Sequence, residues 1–108
     1  METDTAVETL AALAQGTRLA IVRYLVRMGP EGVSASRIGK KLDVAAATLS
    51  FHLKELARAG VVIPRHEGRF IYYAVDYAAI NELVGFLTEN CCRGEEAADC
   101  APPAGEEQ

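Results

Sequence analysis

The most constraining feature of this chain is the abrupt change of period at Gly60. Before it, "AAATLSFHLKELARAG" (45–60) repeats apolar residues at helical spacing, with Leu49, Leu53 and Leu56 on one face. At 100° per residue, Ala47, Ser50, Phe51, Lys54 and Arg58 fall on the other face, and Phe51 is an unusual aromatic among small and basic neighbours. His52 falls on the shoulder of the leucine stripe, which predicts a packed, hydrogen-bonded ring rather than a functional one. After Gly60, "VVIPRH" and "FIYYAVD" are rich in β-branched and aromatic residues and are separated by "EGR", a short glycine-containing loop. A hairpin therefore follows directly on a helix, with Arg65, His66 and Arg69 clustered near its tip. The leucine face of that helix then needs further helices to cover it.

The preceding residues supply them. Ala6, Val7, Leu10, Leu13 and Ala14 stand at helical spacing, and after Gly16 so do Leu19, Ile21, Val22, Leu25 and Val26. "MGPEG" stops the second helix, because Gly29 suits a helix C-terminus and Pro30 cannot continue one. Ser34 offers an N-cap for a short third helix, "ASRIGKKL", whose outward face is basic, and Asp43 and Val44 turn the chain into the fourth. Asp76 caps a last helix from Tyr77 to about Glu89, with Ile80, Leu83, Val84 and Leu87 in one stripe and Ala79 and Phe86 on its flank. This is more apolar surface than a small monomer buries on one side, so the two terminal helices are expected to form a homodimer interface. Two regions are expected: a folded body over 1–90, and a Gly-, Pro- and acid-rich tail over 91–108.

Net charge is −4 across 108 residues, but its sign is segregated. Residues 34–73 carry seven cations (Arg37, Lys40, Lys41, Lys54, Arg58, Arg65, Arg69) against three anions, whereas residues 89–108 carry six anions against Arg93. A basic middle between acidic ends is the electrostatic footprint of a polyanion-binding protein. No apolar run approaches the ~20 residues needed to span a bilayer, and the acidic N-terminus is unlike a secretory signal, so a cytoplasmic protein is expected. In a reducing cytosol the three cysteines, Cys91, Cys92 and Cys100, read as ligands or redox centres rather than structural disulfides. Neither a glycine-rich phosphate loop, an acid pair nor a Cys/His dyad is present, so an enzyme is not expected.

Three segments in order, "LAQGTRLAIVRYL", "LSFHLKELARAGVV" (49–62) and "RFIYYAVD", resemble the ArsR/SmtB family of metal-responsive repressors, and the likeness spans most of residues 8–90. The resemblance implies a mainly α (α+β) winged helix-turn-helix of about five helices and a two-stranded wing, homodimeric, with the fourth helix entering the major groove of double-stranded operator DNA. Carried over by position, Ala47, Ser50 and Phe51 face base edges, while Lys54, Lys40, Lys41 and the wing's Arg65 and Arg69 meet phosphates or the minor groove. Phe51 replaces a ring that is commonly polar, and Ala46 and Ala47 offer little hydrogen-bonding capacity, so readout would lean on thymine methyl groups and DNA shape.

Members of the family sense metals at several places. The third helix here lacks the cysteine pair used by some, and the last helix lacks the histidines used by others. What remains, "CCRGEEAADC", is similar to the C-terminal three-cysteine site of an arsenic-responsive subset. Three sulfurs without a fourth ligand suit As(III), a soft pyramidal centre, whereas structural zinc takes four. Glu95, Glu96 and Asp99 disfavour thiolates, which penalises divalent metals, while arsenous acid exchanges three hydroxides for three thiols and releases only water. The expected inducer is As(III), with Sb(III) sharing its chemistry; a thiol-redox sensor and a sensor of soft divalent ions such as Cd(II) or Pb(II) are the alternatives.

Overall fold

The computed structural model describes residues 1–94, and Cys100 with the rest of the tail lies outside them. The described chain runs α1 (Thr3–Leu13), α2 (Gly16–Met28), β1 (Val33–Ser34), α3 (Ala35–Leu42), α4 (Ala46–Arg58), β2 (Val62–Glu67), β3 (Phe70–Val75) and α5 (Tyr77–Leu87). Local chemistry sets most of these boundaries. Gln15 caps α2 through its side-chain oxygen, which accepts from the Arg18 N–H at 2.9 Å, so the break falls at Ala14–Gln15 and Gly16 belongs to the second helix. Gly29 closes α2 at φ 98°. Pro30 has no N–H to offer the Val26 carbonyl, and the Tyr77 hydroxyl donates to it instead at 3.0 Å, tying the start of α5 to the end of α2. The Ser34 hydroxyl caps α3 and the Asp76 carboxylate caps α5, accepting from Arg37 and Ala79 N–H groups at 3.3 and 3.2 Å.

The sheet is antiparallel in the order β1-β3-β2, with Val33 opposite Tyr73 and a β2–β3 register running from Val62↔Val75 to Glu67↔Phe70. The expected five helices and β2–β3 wing are present, and β1 adds a short third strand by pairing with β3. One boundary is corrected: Glu67 is in the strand, leaving a two-residue turn of Gly68 and Arg69 with Gly68 at φ 62°. Gly32 makes the third strand possible: a Cβ there would stand 2.9 Å from the Tyr73 carbonyl oxygen.

Ile21 and Leu25 of α2, Ile38 of α3, Leu53 and Leu56 of α4, and Val33 and Val61 are fully buried and meet at one centre between helices and sheet. Each contributes about 1.5–3 kcal/mol by leaving water. The first helix differs from its expected stripe. It buries Ala6, Thr9 and Ala12, while Val7 and Leu10 are exposed; Thr9 is tolerated inside because its hydroxyl donates to the Thr5 carbonyl at 3.0 Å. In α5 only Leu83 is buried, Val84 and Leu87 remain exposed, and the helix ends two residues earlier than expected. No helix among the described residues is long and apolar enough to cross a membrane.

Candidate nucleic-acid interface

Helix α4 divides as its sequence predicts. Leu49, His52, Leu53 and Leu56 are buried, and Ala46, Ala47, Ser50, Phe51 and Lys54 are exposed. Phe51 is 56% exposed, an aromatic face held against water by a scaffold with no need of it inside. Two neighbours orient it. The His52 ring meets it edge-on at 5.5 Å between centroids, and the Arg18 guanidinium lies 5.6 Å from the centre of its ring. Arg18 Nε also donates to His52 Nδ1 at 3.1 Å, which fixes Nδ1 as the acceptor in a packed, hydrogen-bonded ring, as its place on the leucine shoulder predicts. The role of Arg18, three residues into α2, is invisible to periodicity, because its partners are on a helix 34 positions away.

The approach of α3 to α4 depends on Gly39 and Asp43. Asp43 adopts the left-handed conformation at φ 58°, and the N–H groups of Asp43 and Val44 both donate to the Gly39 carbonyl, turning the chain in three residues. A Cβ on Gly39 would lie 3.1 Å from the Val44 carbonyl oxygen and 3.3 Å from a Leu49 methyl, so glycine lets the two helices close. Between them and β3 runs a groove of about 900 Å³ whose walls include Ala46, Ser50, Ile71 and Lys40. Lys40, Lys41 and Lys54 are exposed and form no ion pair among the described residues.

The wing separates its two arginines. Arg69 occupies the exposed hairpin turn beside Phe70, itself 57% exposed, an apolar tip that sequence reasoning did not single out. Arg65, unlike Arg69, is engaged within the protein. Its Nε donates to Glu67 at 2.9 Å, its Nη1 donates to the Glu31 carbonyl at 2.8 Å, and its guanidinium lies 5.0 Å from the Tyr72 ring centre. It braces the wing against the loop after α2. On α4, Arg58 is likewise engaged: it donates to Glu55 at 2.6 Å, and that hydrogen bond holds the Glu55 carboxyl below its ordinary range.

A model of the helix-turn-helix domain family matches residues 13–65. Over 93 residues, covering 75% of this chain and 93% of the relative, the sequence is 32% identical to the HTH-type transcriptional regulator YbzH of Bacillus subtilis. Among solved structures, an ArsR-like transcriptional regulator from Rhodococcus sp. RHA1 superposes with a TM-score of 0.68 at 30% identity, covering 78% of this chain and 76% of that one. This chain is an ArsR-like winged-helix transcriptional regulator. The homodimeric winged helix-turn-helix domain of an ArsR-family regulator from Mycobacterium bovis is also similar, with a TM-score of 0.64, 29% identity and 81% of each chain covered.

In this ArsR-like regulator Cys91 and Cys92 follow α5. The chain leaves the helix through Asn90 and Cys92, both at positive φ (60° and 63°), and the Sγ atoms of Cys91 and Cys92 approach to 3.5 Å. Two sulfurs bound ~2.3 Å from one ion, at an angle between square and tetrahedral, stand roughly 3.3–3.8 Å apart, a span that includes this separation. Among the described residues no group of three metal-ligating side chains is formed, and the third expected ligand, Cys100, lies outside them. On the regulator's outer surface, Val7 and Leu10 of α1 and Val84 and Leu87 of α5 are between 42% and 60% exposed.

Proposed function

We propose that this regulator is an arsenite-responsive repressor: it holds double-stranded operator DNA as a homodimer and lets go when As(III) takes the thiols of Cys91, Cys92 and Cys100. The observation that carries the ligand assignment is the 3.5 Å approach of two adjacent sulfurs at the end of α5. A third thiol within the next eight residues completes a trigonal sulfur set without a fourth ligand, and neither His52, buried on α4, nor His66, on the wing, is placed to add one. Arsenous acid would exchange its three hydroxides for the three thiols, forming three As–S bonds and releasing three waters, with no net proton release. Antimonite follows the same balance.

The DNA-binding reading rests on the exposed face of α4, with Ala47, Ser50 and Phe51 toward base edges and Lys54, Lys40, Lys41 and Arg69 toward phosphates. Arg65 holds the wing in place and, with its side chain about half exposed, faces phosphates or the minor groove beside Arg69. Dimerisation is supported by the apolar faces of α1 and α5 and by the homodimeric Mycobacterium bovis relative. Because Cys91 lies four residues beyond Leu87 on the same segment, ordering the tail around the metalloid acts beside this apolar seam and alters the spacing of the two α4 helices. A ligand that favours the low-affinity spacing must weaken DNA binding reciprocally, with couplings typically of ~1–3 kcal/mol.

The test is fluorescence anisotropy of DNA from upstream of the regulator's own gene, titrated with arsenite, antimonite, zinc, cadmium and hydrogen peroxide, for the native chain and Cys100→Ser. Release by arsenite and antimonite, lost in Cys100→Ser, is expected. Release by zinc or peroxide alone refutes the assignment, and an unchanged arsenite response in Cys100→Ser reduces the site to two thiols.

A further inference from the structure

A second basic feature lies away from α4. Arg27 of α2 and Arg37, Lys40 and Lys41 of α3 surround a shallow cleft of about 480 Å³ floored by Tyr24. All four cations are exposed, and none has an ion-pair partner among the described residues, in contrast to Arg58 and Arg65. No carboxylate lines the cleft. Four like charges gathered from two helices repel one another and focus a positive potential on the space between them.

We propose that this cleft is a second docking site for the DNA phosphate backbone, extending the footprint of each protomer from α4 and the wing onto the end of α2. The inference rests on the DNA-binding reading above. Lys40 carries the occupant assignment: it lines both this cleft and the groove beneath α4, so the positive surface is continuous from Ser50 to Arg27. A strand lying along α4 meets Lys40 and then has Arg37 and Arg27 within the same cleft. The contact is to backbone only, because a shallow cleft lined by flexible cations neutralises charge without reading base edges. The rival occupant is the chain's own acidic segment, which carries Glu95, Glu96, Asp99, Glu106 and Glu107.

The experiment measures the affinity of the full chain for operator and for random duplex across a potassium chloride series, for the native protein, Arg27→Gln/Arg37→Gln, and Arg27→Lys/Arg37→Lys, with thermal melting as the check on folding. One phosphate contact per arginine in each protomer of a dimer makes four, so the glutamine pair should flatten the slope of log affinity against log salt by roughly 2 to 4. Its affinity should fall by a similar factor on both duplexes, and the lysine pair should keep the native slope. A native slope in the glutamine pair overturns the proposal while leaving the DNA-binding reading intact. Truncation after Gly94 separates the rival: if the glutamine effect vanishes in the shortened chain, the cations serve the acidic segment and the proposal falls. Failure of the native chain to bind any duplex would remove both readings together.

Discussion

Gly32→Ala isolates the tertiary constraint that holds the wing to the body. Gly32 has φ 88°, where a side chain is strained by about 1–2 kcal/mol. Its new Cβ would stand 2.9 Å from the Tyr73 carbonyl oxygen and 3.2 Å from the carbonyl carbon, both backbone atoms of the central strand that cannot rotate away. Forcing such an atom into packed structure costs about 1–3 kcal/mol more, offset by about 0.4–1 kcal/mol from stiffening the unfolded chain. The net destabilisation is about 2–4 kcal/mol, or roughly 10–25 °C in melting temperature for a domain of this size. Gly68→Ala is the matched control: it also has positive φ (62°), but a Cβ there meets nothing within 4 Å, so only the backbone strain remains. Circular dichroism melts of both variants decide the matter. If they agree to within about 3 °C, the close approach of β1 to β3 does not carry the cost and the account of the third strand is wrong.

Phe51→Ala should leave stability within about 1 kcal/mol, since the ring is exposed, yet weaken operator binding roughly tenfold, as read by anisotropy; an unchanged affinity removes Phe51 from the interface. Arg18→Ala leaves buried His52 Nδ1 without its donor and should cost about 1–3 kcal/mol in urea denaturation, whereas Arg18→Lys, which lacks the guanidinium Nε–H, should not restore it. Burial raises the Tyr73 hydroxyl above the ordinary tyrosine value of 10.0 by disfavouring the phenolate. Its contribution to stability is thus complete below pH 10.0 and declines as pH rises through and beyond that value, so Tyr73→Phe should flatten the alkaline limb of the stability profile.

Where neighbours in sequence are also neighbours in space, the chain was legible residue by residue. Ser34 and Asp76 cap helices as their side chains predict, Gly29 ends α2, and the spacing of Leu49, Leu53 and Leu56 turns Phe51 and Lys54 outward. Such features depend on hydrogen bonds and side-chain angles within one or two turns, which a linear pattern encodes directly. The third strand, the engagement of Arg65 with Glu31 and Tyr72, the Arg18–His52 bond and the meeting of Arg27 with Arg37 all join residues on different elements. Periodicity likewise placed Val7 and Leu10 on an apolar stripe without saying that α1 would bury Ala6, Thr9 and Ala12 in their stead. Amphipathic spacing measures how much apolar surface an element carries, whereas its direction is chosen by the elements packed around it. Local chemistry thus determined where the capped helices begin and where α2 ends, and only tertiary packing decided the third strand and which cations stay free for an anion.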